Sequence, residues 1–168
     1  MAVREPSWST TDPKELLLGQ LSYYRGTLLA KLGGLSEEEL RTSLLPSGWV
    51  PLALLKHLAY VERRWMQWGF AAEPVSNPWG DDDPVTTRWR LRPEETLVTL
   101  TAFLGDTARR TGEIAARAPL EARGRLGGRF ESEAPTLGWI LVHLVQEYAR
   151  HVGHLDVVRE LINGSTGE

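Results

Sequence analysis

The segment His143-Leu144-Val145-Gln146-Glu147-Tyr148-Ala149-Arg150-His151-Val152-Gly153-His154 decides how this chain is read. Its histidines and its glutamate recur at offsets of four, four and three. At about 100° per residue of α-helix, these side chains share a stripe of roughly 80°. Leu144, Val145, Tyr148 and Val152 run beside that stripe, so the segment reads as a helix with a polar seam among apolar residues. Such a seam must find partners if it faces a core. Thr136 is a cap candidate and Asn163-Gly164 a stop, which predicts a helix over 136–162.

Working outward, three further long helices carry the same period. Asp12-Pro13-Lys14-Glu15 reads as a start, with Asp12 as cap, Pro13 in the first turn and Glu15 completing a capping box. Leu16, Leu17, Gln20, Leu21, Tyr24, Leu28 and Leu32 follow at helical spacing, and Gly33-Gly34 ends the run. Residues 50–72 predict a second long helix, with Leu54, Leu55, Leu58, Val61, Trp65 and Trp68 as its core stripe. A third begins at Arg92-Pro93-Glu94-Glu95 and passes through Leu97, Leu100, Phe103, Leu104, Thr107 and Ile114 to about Arg117. A short helix near residues 36–44 opens on Ser36-Glu37-Glu38-Glu39, acids that suit its dipole.

Between the second and third long helices, residues 73–92 carry Pro74, Pro78, Gly80 and Pro84 and predict a loop, with a short extended piece at 86–91. Connections of about 20 residues are uncommon in compact domains and often functional. This one is long enough to cross a bundle and let the next helix run parallel to the last. Its Asp81-Asp82-Asp83 run reads as a solvated loop, with a lid as the alternative, and Trp79 and Trp89 read as loop anchors, with the lining of a ligand cleft as the alternative. Residues 118–135 form a glycine-rich connection with Gly127-Gly128 in a turn. The expected fold is all-α: a four-helix bundle with a long crossover between the second and third long helices, in a single domain over 1–168.

Composition narrows the function classes. Hydrophobic residues make up 42% and charged residues 24% of 168, which suits a globular chain with one core. A net charge of -3 offers no general attraction to nucleic acid, and no apolar run approaches the roughly 20 residues of a membrane span. Residues 1–9 lack the apolar core of a secretory signal, so a cytoplasmic protein is expected. The absence of cysteine excludes disulfides, thiolate ligands and a cysteine nucleophile. Any metal must be held by nitrogen and oxygen, and any thiol must come from outside.

The four histidines are His57, His143, His151 and His154, and all fall on expected helices. One helix histidine is ordinarily a hydrogen-bonded core or surface residue; the clustering of three on one face makes the case. A glutamate and a histidine four apart can both reach one ion inside a bundle. A third ligand must come from another helix, and His57 lies on the apolar side of the second long one. Two imidazoles and a carboxylate suit zinc, and also iron, nickel or manganese, and leave coordination positions open. Trp139 sits one turn before His143, where it can wall a pocket. Arg150 and Arg123, Arg125 and Arg129 can hold an anionic group, although solvated surface charge is the better reading of each.

Three segments carry a family resemblance. They are Pro46-Ser47-Gly48 with Leu55-Lys56-His57-Leu58-Ala59-Tyr60-Val61-Glu62-Arg63-Arg64-Trp65; Pro93-Glu94-Glu95-Thr96-Leu97; and the last helix from Trp139 to Asp156. On these the chain resembles the DinB-like superfamily, within it the DUF664 group. It is similar to the N-terminal domains of mycothiol-dependent maleylpyruvate isomerases and thiol S-transferases. The resemblance implies one metal held by His57, Glu147 and His151. It places His154 where many relatives have glutamine, beside the ligands, and His143 one turn before them.

The resulting expectation is a metal-dependent thiol S-transferase that joins mycothiol, or a similar small thiol, to a small electrophile. His154 and His143 are the candidate catalytic residues, orienting a ligand or relaying a proton. A metal-dependent hydrolase is the alternative enzyme, but with Glu147 as ligand its base is unassigned. A non-enzymatic metal-containing binding or stress protein is the third reading. Pairing into a homodimer through a helix face is open to such a bundle.

Overall fold

The computed structural model describes residues 3–86 and 88–166. Four long helices and a short one make up the fold: α1 Pro13–Leu32, α2 Glu37–Arg41, α3 Pro51–Arg63, α4 Leu97–Ala116 and α5 Leu137–Asn163. A π-helical segment, Arg64–Phe70, continues α3 without a break. Among the described residues there is no strand, only isolated antiparallel bridges at Asp82–Trp89 and Arg123–Thr136. Only Trp89 of the first bridge falls in the extended piece expected over 86–91, of which Thr87 lies outside the described residues, as do the two residues at each end of the expected single domain. No helix is long and apolar enough to cross a membrane.

Local chemistry sets most boundaries. The Asp12 carboxylate accepts the Lys14 and Glu15 backbone N–H groups, and Thr136 accepts that of Trp139. Ser36 and Glu39 form a capping box. Helix α2 stops at Arg41, earlier than expected, because Thr42 is extended. Helix α4 starts at Leu97 rather than in the Arg92–Glu95 run. There the Glu95 carboxylate accepts the Arg92 backbone N–H and closes a turn, and Thr96 and Thr99 form the cap. Gly164, at φ 73°, ends α5 in the left-handed region.

The π-helical segment corrects one expectation about the core. Trp65 and Trp68 are only half-buried, whereas Met66 and Phe70 are buried. The Ala71 N–H donates to the Met66 carbonyl, five residues back. The wider turn rotates the end of the helix away from the 3.6-residue period that put both tryptophans inward.

Helix α1 packs along α5, and α3 packs along α4 and against α5. Leu21, Leu28, Leu55, Leu58, Leu104 and Leu144 represent their shared core. Within that core lies a carboxylate, Glu62, with no exposed surface. Arg25 donates to it from Nε at 3.0 Å and Nη2 at 2.6 Å, Thr111 from its hydroxyl at 2.6 Å, and Tyr148 from its hydroxyl at 2.9 Å. These donors come from α1, α4 and α5, so every long helix meets at this charge. Burial, and then the facing Glu62 carboxylate, push the Tyr148 hydroxyl well above its ordinary pKa and keep it a donor. Burial opposes the charge on Arg25, but Glu62 and Tyr148 outweigh it and raise the guanidinium further.

Lys56, also buried, ties the crossover to α3: its ammonium donates to the Arg90 carbonyl at 2.8 Å and to Glu95 at 2.9 Å.

Removing a partner from a buried ion pair strands the rest. Glu62→Ala is therefore expected to lose about 3–5 kcal/mol in urea unfolding. Tyr148→Phe, which deletes one hydrogen bond, is expected to lose about 1–2 kcal/mol.

Candidate functional site

The orientation of α5 follows from its buried stripe. Leu144, Tyr148 and Val152 enter the core, and Tyr148 reaches Glu62. That leaves His143, Glu147 and His151 on the adjoining face, toward α3. His57, Glu147 and His151 each present one nitrogen or oxygen atom such that the three lie within 4.8 Å of one another. The His57 and His151 ring centroids are 5.2 Å apart, and His151 Nε2 lies 3.4 Å from Glu147. The His151 bond lowers the Glu147 pKa against the opposing effect of burial. His143 Nε2 stands 3.8 Å from the other oxygen of Glu147, at the edge of the group. His154 is exposed and reaches the site only by its ring contact with His151, at 5.6 Å.

The crossover completes the site, and it corrects the reading of the acidic run. Asp81 is fully buried rather than solvated. Its carboxylate bonds His57 Nδ1 at 2.9 Å and also pairs with the Arg64 guanidinium. Burial disfavours its charge, but the His57 and Arg64 hydrogen bonds outweigh that and hold its carboxyl below the ordinary value. An ionised Asp81 can only accept, so Nδ1 is a donor, and the neutral tautomer this bond selects carries its lone pair on Nε2. Trp89 also does more than anchor a loop. It stacks on His57, with centroids 4.2 Å and planes 22° apart, and meets His151 edge-on at 5.1 Å.

Around His143 the walls are aromatic. Trp139 stacks on the imidazole at 5.3 Å and 10°, as its place one turn earlier suggests. Trp65 packs on it at 4.5 Å, which assigns the side chain turned out of the core by the π-helical segment. Burial comes first in lowering the His143 pKa; Glu147 opposes this and the Arg129 charge adds to it. Burial, then His151 and Arg150, lower that of His154. Asp81, Arg64 and Trp89 were not among the sequence candidates. Two signals pointed toward Asp81 and Trp89, the unusual length of the crossover and the capacity of loop tryptophans to line a cleft; Arg64 lies in the helical stretch before it.

Size alone would not select this place. A cleft of ≈ 830 Å³ lies against α1, lined in part by Val3, Tyr23 and Gly26, with no cluster of ligating side chains among its lining residues. The donor set beside α5 does fit a metal ion: two imidazoles and a carboxylate converge, His57 has its tautomer fixed, and His151 Nδ1 is buried with no hydrogen-bond partner. A second grouping, His57 with Asp81 and Asp82, fits less well because Asp81 is already engaged by Arg64 and His57.

Substitution of Asp81 tests the crossover's part. Asp81→Asn leaves Arg64 buried without its counter-charge and is expected to cost roughly 3 kcal/mol at pH 7. Because the folded-state pKa of Asp81 is depressed, its contribution is present above the unfolded value near about 4 and fades as pH falls through the folded one. Urea midpoints measured from pH 7 down to pH 2 should therefore show the gap between wild type and Asp81→Asn closing below about pH 4.

The sequence matches the family described as Mycothiol-S-transferase over residues 16–164. A comparison with curated proteins finds no match.

Proposed function

Given that the chain belongs to the Mycothiol-S-transferase family, we propose that it is a metal-dependent thiol S-transferase whose ion is held by His57, Glu147 and His151. The observation that supports this reading most is the convergence of these three side chains beside Asp81, which fixes the acceptor nitrogen of His57. Zinc suits the donor set best, with nickel, iron or manganese as other occupants. When bound, the ion supplies the positive charge that holds an incoming thiol as thiolate near neutral pH.

The chain's own residues do the rest. Asp81 and Trp89 hold the His57 ring from two sides, so it needs no reorientation to bind. His143, with its lowered pKa, is neutral at pH 7 and can take the proton that leaves the thiol. Trp65 and Trp139 keep that imidazole against Glu147 and shield it from water. His154, more exposed, packs on His151 and orients that ligand from the solvent side. The thiol is mycothiol or a close analogue, and a cytoplasmic setting keeps it reduced. The sulfur then attacks a small electrophile in one domain that spans the chain.

A hydrolase is the weaker reading. On the proposed ligand set Glu147 is not free to act as the base, and no residue is assigned to activate water. The family match supports transfer to a thiol instead.

Elemental analysis of purified protein should find close to one first-row metal ion per chain. His57→Ala or Glu147→Ala should weaken its retention against a chelator by more than the roughly tenfold to hundredfold typical of outer-shell changes. With mycothiol and monobromobimane, the protein should form the thioether faster than background, and chelation should abolish the difference. A metal-loaded protein with no such rate would refute the transferase reading.

A further inference from the structure

Among the described residues, Arg129 has no counter-ion. Its guanidinium lies over the Trp65 ring at 4.2 Å and near Trp79 at 5.4 Å. Its Nη1 is buried with no hydrogen-bond partner, and among the described residues no acid pairs with it. Two neighbouring arginines differ. Arg64 pairs with Asp81, and Arg123 pairs with Glu133 at 3.2 Å. The backbone holds Arg129 in place. Its N–H donates to the Trp68 carbonyl at 3.1 Å, and a Cβ on the preceding Gly128 would stand 2.2 Å from that same oxygen. An uncompensated charge, rigidly held and partly desolvated, is costly unless an anion completes it.

A cleft of ≈ 360 Å³ is walled by Trp65, Phe130, Trp139 and Pro135, with the Arg123–Glu133 pair on its lining; Arg129 meets it through the Trp65 ring. Trp65 is shared: one ring contacts Arg129, lines this cleft and packs on His143. Phe130 follows Arg129 in the chain. The cleft's own acid, Glu133, is exposed and already paired with Arg123. Flat aromatic walls, the unpaired Arg129 guanidinium stacked on one of them, Trp65, and the reacting site beyond that ring define one class of occupant. On the transferase reading above, we infer that Arg129 sets substrate specificity by pairing with the carboxylate of an electrophile that has a flat apolar body.

For a chloroarene of this kind, the thiolate sulfur forms the carbon–sulfur bond, and chloride leaves with the electron pair of the broken carbon–chlorine bond. The thiol proton goes to a base or to water.

The test uses the whole metal-loaded protein and two readouts. Calorimetric titration with benzoate and with benzamide reads binding without turnover. Benzoate should bind the wild type better than benzamide does, and Arg129→Gln should weaken benzoate by about tenfold or more while leaving benzamide nearly unchanged. Mycothiol transfer to 4-chloro-3-nitrobenzoate and to 1-chloro-2,4-dinitrobenzene reads specificity. Arg129→Gln should lower kcat/KM for the first by more than for the second, and Arg129→Lys should recover part of that difference. Equal binding of benzoate and benzamide to the wild type, or equal losses for both electrophiles in Arg129→Gln, would overturn the inference. Arg129-dependent benzoate binding with no transfer to either electrophile would keep the anion site and remove the transferase reading.

Discussion

The buried carboxylate of Glu62 is the constraint from which the rest of the architecture follows. A charge inside a helical core costs several kcal/mol unless its acceptor sites are filled. Here they are filled by one donor residue from each of the other three long helices, Arg25, Thr111 and Tyr148. An apolar core tolerates some rotation of its helices, because hydrophobic contact is not directional. Hydrogen bonds to one shared carboxylate do not. The rotation of α5 that brings Tyr148 to Glu62 also turns Glu147 and His151 toward His57 on α3. The site is thus set by a polar hub that takes no part in it.

How much of this was legible in the sequence depended on whether a residue obeyed a period. The four long helices showed in their apolar spacing, and Ser36, Thr136 and Asn163-Gly164 marked ends correctly. The histidines and Glu147 were visible because they share one helical face. The π-helical segment was not, since a wider turn leaves no trace in a 3.6-residue pattern. It moved Trp65 from expected core to the wall around His143. Asp81 was misread, and Trp89 was read chiefly as an anchor, for a different reason. They lie in a connection without periodicity, and only the folded path of that connection shows that it returns to His57. Arg129 had been open to either reading, anion holder or solvated charge, and its burial could not be read from a glycine-rich segment.

The crossover is therefore part of the site's framework. Three side chains from one continuous helical stretch hold it: Lys56 grips the Arg90 carbonyl and Glu95, His57 takes Asp81, and Arg64 takes Asp81 together with the Pro78 carbonyl. Glu95 in turn closes the turn ahead of α4. Long connections are usually the mobile part of a helical protein. This one is fastened at both ends of its path by buried charges, and it presents Asp81 and Trp89 at fixed positions.

That fastening has a consequence for rearranging the chain. Extended surface connections are where proteins ordinarily accept new termini or inserted domains. A permuted version opened between Asp81 and Trp89 would keep all four helices and their polar hub, yet it would separate the two residues that brace His57 from opposite sides. Such a protein would fold and still lack a prepared imidazole. In this molecule the tolerance of the scaffold and the tolerance of its chemistry are different properties, and the crossover is where they part.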